Sequence, residues 1–319
     1  MKISVAVITY NQENTINQTI DSILAQEGDF DLEIVVGEDC SSDNTYTICK
    51  EYAEKYPTII KLIRPSENLG ILRNFINTLK SCTGELIGIC AGDDYWIDKN
   101  KLSKQKELLD RNLECGVCTT NGYRFLVKKN KFVEGIAPLM PIADGDVSSF
   151  YFSKNYSGGV YAMPLSMVFK RELLKFVDFD EFIKRNFSVE DYPLQAIFSK
   201  HTKWCHLPDL TVVYRVYNES ATNISYKHPK YMFYHKGLME VGRYLEELYP
   251  GETNFTEEKA YEYILYKEFL LYLYSNKYRD AKLLLENSIY TSKKINRTKK
   301  IVSNYFLFSL FRIYKLLRQ

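Results

Sequence analysis

The sequence predicts an α/β protein: a mainly parallel sheet covered by helices, followed by an α-helical appendage. Three observations predict it. The first 127 residues alternate short, continuously apolar runs with stretches of helical spacing, and strands that are apolar on both faces belong to parallel sheets buried between helices. The 319 residues are 45% hydrophobic and 26% charged, enough for a large core and too apolar for a disordered or collagen-like chain. From Tyr226 onward the pattern turns helical.

The elements follow in order. Ile3–Thr9 is β-branched and apolar, a buried strand, and Glu13–Gln26 places Ile16, Ile20, Ile23 and Leu24 at helical spacing. Leu32–Gly37 is a second strand. Asp43–Tyr56 is a helix, for which Ser41 or Ser42 is the expected N-cap. Ile59–Ile63 is a third strand, Gly70–Lys80 a helix with Leu72, Phe75, Ile76 and Leu79 on one side, Glu85–Cys90 a fourth strand, Asn100–Arg111 a helix and Gly116–Val127 a fifth strand. Residues 131–217 are punctuated by glycine and proline, and they end in a short helix at Glu190–Lys200 and a strand at Leu210–Val216. Helices are then expected at Tyr226–Tyr249, Glu257–Ser275 and Tyr278–Tyr290, with a last segment to Gln319.

Composition narrows the function. Lys+Arg number 42 and Asp+Glu 40, which gives no whole-chain case for nucleic acid. The first residues run straight into a strand, so no secretory signal is expected, and no run of 18 apolar residues suggests a membrane span. Seven cysteines, an odd number set mostly in apolar runs, read as reduced cytosolic thiols. Cys115 and Cys118 form a lone C-x-x-C without the second pair a zinc site needs, and the four histidines show no ligand spacing.

In an open α/β sheet, ligands bind outside the carboxyl ends of the strands. Thr9-Tyr10-Asn11, Glu38-Asp39 and Gly92-Asp93-Asp94 follow the first, second and fourth strands. Four carboxylates gathered at one edge need a positive partner, and a magnesium or manganese ion with oxygen ligands is the simple one. Singly, each acid reads more readily as a cap or turn residue of the helix that follows, and it is the coincidence at three strand ends that favours a ligand site.

The segments MKISVAVITYNQENTINQTIDSILAQ (1–26), EIVVGEDCSSDNT (33–45), ENLGILRNFINTLKSCTGELIGICAGDDYW (67–96) and SVEDYPLQAIF (188–198) resemble, in this order and spacing, the family 2 glycosyltransferases of the GT-A fold. The resemblance covers about 1–217 and is closest to enzymes of bacterial surface polysaccharides, capsule and O-antigen included. It implies a GT-A domain over 1–217, with 1–127 binding a nucleotide sugar and 128–217 holding the acceptor and base, before an α-helical region at 218–319. It also implies roles. Thr9, Tyr10 and Asn11 would lie at the nucleotide, with Thr9 and Tyr10 at the base. Asp39 would accept the uracil imide N–H and Glu38 would lie near the ribose. Asn68, Gly70 and Arg73 would flank the base and diphosphate of a UDP-sugar. Asp94 would ligate the metal, Mn²⁺ or Mg²⁺, and Asp93 would hold the ribose or a metal-bound water. Where the family often has an acid two residues before Asp93, this chain has Ala91, which leaves fewer carboxylates for the metal. Asp191 would be the general base that activates an acceptor hydroxyl, with Glu190 its helper, and one base implies inversion. On residues alone, Ser188-x-x-Asp191 is also a passable capping box.

The acceptor, a saccharide on a lipid carrier, is expected over the irregular middle, lined by Tyr156-Ser157-Gly158-Gly159 and Met163–Lys170, with Trp96 or Trp204 stacking on a sugar face. Two rivals are a nucleotidyltransferase, whose basic glycine-rich phosphate loop is missing after the first strand, and a non-catalytic saccharide-binding protein of the same fold.

The net charge of +2 is a sum of unlike parts. Residues 291–319 hold eight Lys/Arg and no acid, which leaves 34 basic against 40 acidic residues in the rest. A basic segment with Phe306, Phe308, Phe311 and Leu317 suits an anionic membrane surface, placing the protein on the inner, cytoplasmic face of the cell membrane. Its apolar side could instead pack on Tyr226–Tyr290 or on a second copy in a homodimer. Of the 26 tyrosines, 12 lie between Tyr226 and Tyr290, beside this tail.

Overall fold

The computed structural model describes residues 1–135, 145–148, 162–217, 228–288 and 292–316. By contacts the chain divides at Tyr217/Asn218 into an α/β unit and a helical unit. In the first, β1 (Lys2–Thr9) is flanked on both sides by parallel partners, β2 (Asp31–Glu38) and β4 (Leu86–Ala91), and β3 (Ile60–Ile63) extends β2. Thr9 is registered against Glu38 and Ile8 against Ala91, so the polar residues after three strands emerge at one edge.

The helices between them are amphipathic for the expected reason. In α1 (Ile16–Leu24) the buried set is Ile16, Ile20 and Ile23 with Thr19, and in α3 (Ile71–Lys80) it is led by Leu72, Phe75, Ile76 and Leu79. α2 (Thr45–Lys55) and α4 (Lys101–Arg111) complete this part. The N-cap expected at Ser41 or Ser42 is not there. Asn44 flanks α2, and Asp43 Oδ1 accepts from Thr45 N–H at 2.9 Å, because the Ser41 hydroxyl is drawn across to Asn11 N–H at 2.9 Å.

The sheet order is β3-β2-β1-β4, then β8 (Val168–Lys170), β6 (Cys115–Leu126), β9 (Lys203–Val216) and β5 (Tyr95–Trp96). The fifth strand expected from the sequence is β6 (Cys115–Leu126), yet it does not lie beside β4. A three-residue strand, β8 (Val168–Lys170), lies between them, antiparallel to both. Three residues are too few to show a period. β9 (Lys203–Val216) runs parallel to β6 and carries β5 (Tyr95–Trp96) on its other edge, while β7 (Lys131–Glu134) pairs with β6. Two short helices, α5 (Phe179–Lys184) and α6 (Asp191–His201), follow β8. α6 is nearly enclosed, and its Phe198 ring lies 4.9 Å from that of Phe169 on β8.

Two acceptor expectations fail here. Trp96 and Trp204 are 3% and 0% exposed, core residues that no sugar can stack on. The Trp96 ring packs instead under the buried Lys101 ammonium, 4.1 Å from its centroid. Most of Met163–Lys170 is interior, with Leu165–Phe169 all buried, so it cannot line an open acceptor surface. Tyr156–Gly159 lies outside the described residues.

The helical unit holds α7 (Tyr231–Leu248), α8 (Glu257–Tyr274), α9 (Tyr278–Glu286), α10 (Lys293–Val302) and α11 (Tyr305–Leu316). Leu265, Phe269, Leu273, Leu285, Ile295, Val302 and Phe308 form its core, with Phe311 packed against it. Phe308 and Phe311 therefore do not face outward as expected for a membrane face. They are one side of a helix whose other side carries Leu307, Leu310, Ile313 and Tyr314, each 46–52% exposed. The Phe306 side chain and Leu317 are outside the described residues. Among the described residues no helix is long and apolar enough to cross a membrane.

Candidate active site

The loops after β1 and β2 are stitched together. Asn11, at φ 53°, accepts from Ser42 N–H at 2.9 Å through Oδ1, Gln12 N–H donates to Thr45 Oγ1 at 2.7 Å, and Glu13 N–H donates to Asp43 Oδ2 at 3.1 Å. Asn11 is thus a loop fastener. Glu38 is 0% exposed. Its Oε1 accepts from Ser41 N–H at 2.6 Å, and its Oε2 lies 2.9 Å from Arg64 Nε, whose guanidinium sits 3.9 Å over the Tyr46 ring. Enclosed in this way, Glu38 shapes the 39–42 loop and has no surface to offer a ribose, contrary to the expected role.

Asp39 is 2% exposed and accepts three hydrogen bonds from one short segment: Asn68 Nδ2 at 2.9 Å, Leu69 N–H at 2.9 Å and Gly70 N–H at 2.8 Å. Gly70 has φ 82°, a left-handed conformation that a side chain would strain. Two of these bonds fall on Oδ2 and one on Oδ1, so Oδ1 keeps acceptor capacity for an imide N–H. Tyr10, 46% exposed, and Arg73, also exposed, stand at the surface of this edge.

The acid loop after β4 is held by one face of α1. Thr15 Oγ1 donates to Gly92 O at 2.9 Å, Thr19 Oγ1 donates to Asp94 O at 2.6 Å, and Ser22 Oγ accepts from Trp96 N–H at 3.0 Å. From the far side, β9 delivers Arg215. Its backbone N–H donates to Asp94 Oδ1 at 2.8 Å, its Nη1 donates to Asp93 O, and its Nη2 donates to Gln18 Oε1. Positions 15, 18, 19 and 22 are the i, i+3, i+4, i+7 set of a helix. The apolar stripe of this helix does not point to them, nor to Gln12, Arg215 and Tyr217. The signal was present as a second, polar period on α1.

Asp94 is 3% exposed and Asp93 half-buried. Burial, and for Asp94 the neighbouring charge of Asp93, push both carboxyls above the usual range; Arg215 and a hydrogen bond from Gln12 pull Asp93 back. Desolvation and the same acids also raise the half-buried Tyr217 hydroxyl. Beside them Thr9 Oγ1 and Gln12 Oε1 are buried and, among the described residues, have no hydrogen-bond partner. A buried and a half-buried carboxylate that repel each other, with these oxygens nearby, form a hard donor set, which fits magnesium or manganese completed by water and phosphate. Among the described residues no third acid, His or Cys joins them, consistent with Ala91.

Gly92 has no room for a side chain. A Cβ there would strike Gln12 Oε1 and come within 2.7 Å of Thr9 Oγ1. We expect Gly92→Ala to cost about 1–3 kcal/mol, read as a lower midpoint in thermal or denaturant unfolding. An unchanged midpoint would mean that these two side chains move aside freely.

Glu190 and Asp191 open α6. Glu190 flanks the helix without a side-chain cap, and the helix begins at Asp191, so the capping box read from Ser188 is not its start; Asp191 Oδ1 accepts from the adjacent Tyr192 N–H at 2.7 Å. Desolvation, with repulsion from Asp191, pushes Glu190 up to about 8, and desolvation pushes Asp191 up to about 6. They titrate as a pair that shares protons near neutrality. α6 reaches the acid loop indirectly: Phe198 packs on Phe169 of β8, and β8 is registered on β4 through Ile87↔Phe169 and Gly88↔Val168. A cavity of about 1140 Å³ opens at the opposite end of the strands, among Met1, Leu86, Lys170 and Phe176, and holds none of these residues.

A sheet of order 3-2-1-4 with acids at one edge, continued by an antiparallel strand and a helix bearing a second acid pair, is the architecture of the GT-A glycosyltransferases. The chain belongs to glycosyl transferase family 2, whose family model matches residues 4–163. It is 30% identical over 234 residues to the dTDP-rhamnosyl transferase RfbG of Shigella flexneri, covering 69% of this chain and 75% of that one. It is 42% identical over 115 residues to the uncharacterised protein Rv1520 of Mycobacterium tuberculosis, covering 36% of this chain and 33% of that one. The chain thus spans about a third of the length of this mycobacterial relative. Among solved structures, Staphylococcus aureus TarS 1-349 in complex with UDP-GlcNAc matches with a TM-score of 0.58 at 18% identity, over 95% of this chain and 79% of that one.

Proposed function

We propose that the protein is a metal-dependent, inverting glycosyltransferase that moves a sugar from a UDP-sugar to a hydroxyl of a lipid-linked saccharide in bacterial surface-polysaccharide synthesis. The observation that carries this reading is the pairing of two sites. One is the Asp93–Asp94 pair, with Asp94 buried, on the nucleotide edge. The other is Glu190–Asp191, uncapped and raised in pKa, on a helix tied to the same strand. Tyr10 offers a ring to the base, Oδ1 of Asp39 takes the imide N–H, and Asn68, Gly70 and Arg73 lie along the diphosphate. Asp94, with Asp93 beside it, would hold a magnesium or manganese ion, whose chemistry there is to neutralise charge building on the diphosphate. Asp191 removes the proton of the acceptor hydroxyl as its oxygen attacks the anomeric carbon. The bond from that carbon to the diphosphate oxygen breaks, and its electron pair leaves with UDP. Glu190, protonated near neutrality, keeps a second negative charge away from the base.

The name of the Shigella relative favours a second donor, a dTDP-sugar, since thymine presents the same imide edge as uracil. Incubation of the protein with UDP- and dTDP-sugars, Mn²⁺ and an extracted lipid-linked saccharide tests both. The expected product carries an inverted anomeric centre. Retention of configuration, or no transfer from any donor, overturns the reading.

The acceptor places the work at a membrane, and α11 supports this. Leu307, Leu310, Ile313 and Tyr314 form an exposed apolar stripe in a segment with eight positive charges and no acid. The protein should co-sediment with vesicles of anionic lipid, less so as salt rises, and the double variant Leu310→Asp, Ile313→Asp should stay in solution. Equal binding by that variant, or none by the wild type, removes the stripe from this role.

A further inference from the structure

The carboxylate pair at the end of β4 is not left alone with solvent. Arg215 is fixed there from three sides: its side chain donates to Asp93 O and to Gln18 Oε1, its backbone N–H donates to Asp94 Oδ1 at 2.8 Å, and its guanidinium carbon lies 4.6 Å from the Tyr95 ring centroid. A guanidinium stays charged at any pH the protein meets. The acid loop therefore carries two carboxylates and one permanent cation, and Ala91 adds no further acid. Two opposing effects follow. A cation a few ångströms away repels a dication that arrives by itself. The same cation attracts a diphosphate, and each negative phosphate oxygen brought in offsets the repulsion the metal meets.

We propose that Arg215 is a positioning residue that holds the Asp93–Asp94 loop assembled without metal and keeps metal affinity low until the diphosphate of the donor arrives, so that metal and donor bind as a coupled pair. This rests on the reading of the site as a metal–diphosphate site. Lysine at 215 preserves the charge but loses the fork that spans Asp93 and Gln18, whereas methionine preserves the stem over Tyr95 and loses the charge. A residue that merely props up the loop weakens metal binding when replaced by either. A built-in countercharge gives a different pattern.

The test is titration of the full chain with Mn²⁺, by calorimetry or by the electron paramagnetic resonance of free Mn²⁺, without and with UDP. Arg215→Met should bind Mn²⁺ alone about tenfold more tightly than wild type, the size expected for removing one positive charge beside a dication in a largely hydrated site. The gain in Mn²⁺ affinity that UDP confers should shrink by a similar factor, and by linkage so should the gain in UDP affinity that Mn²⁺ confers. Arg215→Lys should bind Mn²⁺ alone within a factor of about two to three of wild type, because the charge remains. If Arg215→Met binds Mn²⁺ alone as weakly as wild type or more weakly, the proposal is overturned. Should Arg215→Met fail to fold, Arg215→Gln takes its place, and the wild type still decides: a Mn²⁺ affinity that UDP leaves unchanged overturns the coupling. If UDP fails to bind wild type even with Mn²⁺, the donor reading falls, while the comparison of Mn²⁺ alone across the variants still decides the role of Arg215.

Discussion

Asp191→Asn should bind donor normally and transfer almost nothing, with kcat lower by about 10²- to 10⁴-fold, the usual worth of a positioned general base. The substitution is gentle on the fold. An asparagine Oδ1 still accepts the Tyr192 N–H that Asp191 Oδ1 accepts at 2.7 Å. Stability should even rise. The folded-state pKa of Asp191 is raised to about 6 and that of Glu190 to about 8. A carboxyl raised in this way holds its proton more tightly folded than unfolded, so the fold loses stability as pH climbs through those values. Removing the one negative charge that the pair carries near neutrality should lift the melting temperature at pH 7 by a few degrees and flatten its dependence on pH. Wild-type kcat should rise with pH through an acidic limb near 6, well above an ordinary aspartate. Normal turnover by Asp191→Asn removes the base from this residue, and an acidic limb near 4 removes the shared-proton account of the pair.

Asp94→Asn should cost about 10³-fold in kcat, because a metal clamp on a leaving diphosphate supplies several kcal/mol of charge stabilisation. Here too the shape survives, since asparagine Oδ1 can accept the Arg215 N–H that Asp94 Oδ1 accepts at 2.8 Å. The loss should be accompanied by weaker Mn²⁺ binding in the presence of UDP and by a higher melting temperature, as the desolvated, repelling pair is relieved. A variant that keeps metal-stimulated turnover would show that Asp93 or another group holds the metal.

The core α/β unit was legible because its signals are local and repeated. Apolar runs such as Ile3–Thr9 and Leu32–Gly37 announce themselves, and the crossover rule for parallel strands brings Thr9, Asp39 and Asp94 to one edge. What stayed hidden depends on partners distant in sequence. β8 has three residues and owes its place to β4 and β6. Trp96 and Trp204 look like sugar platforms by type, but Trp96 packs against Lys101, Trp204 lies on β9 paired with β6, and both are buried. Glu38 reads as a ligand contact until Arg64, 26 residues on, is found against it. Ser41 has the chemistry of a cap, yet Asn11 takes its hydroxyl. On α11 the number of apolar residues was readable, but which of them face the core was not, since Phe308 and Leu307 differ only in what stands opposite.

The grip of α1 on the acid loop has a dynamic consequence. Thr15, Gln18, Thr19 and Ser22 tie 92–96 and Arg215 to the same helix whose Ile16, Ile20 and Ile23 are anchored in the core. The loop has no cheap local opening of its own: to let go, it must break several helix contacts at once or take the helix with it. Its amides should therefore exchange with solvent on the slow timescale of α1 rather than on that of a surface turn, as members of one cooperative folding unit. An acid loop rigid before any ligand arrives leaves any adjustment on binding to other segments of the chain.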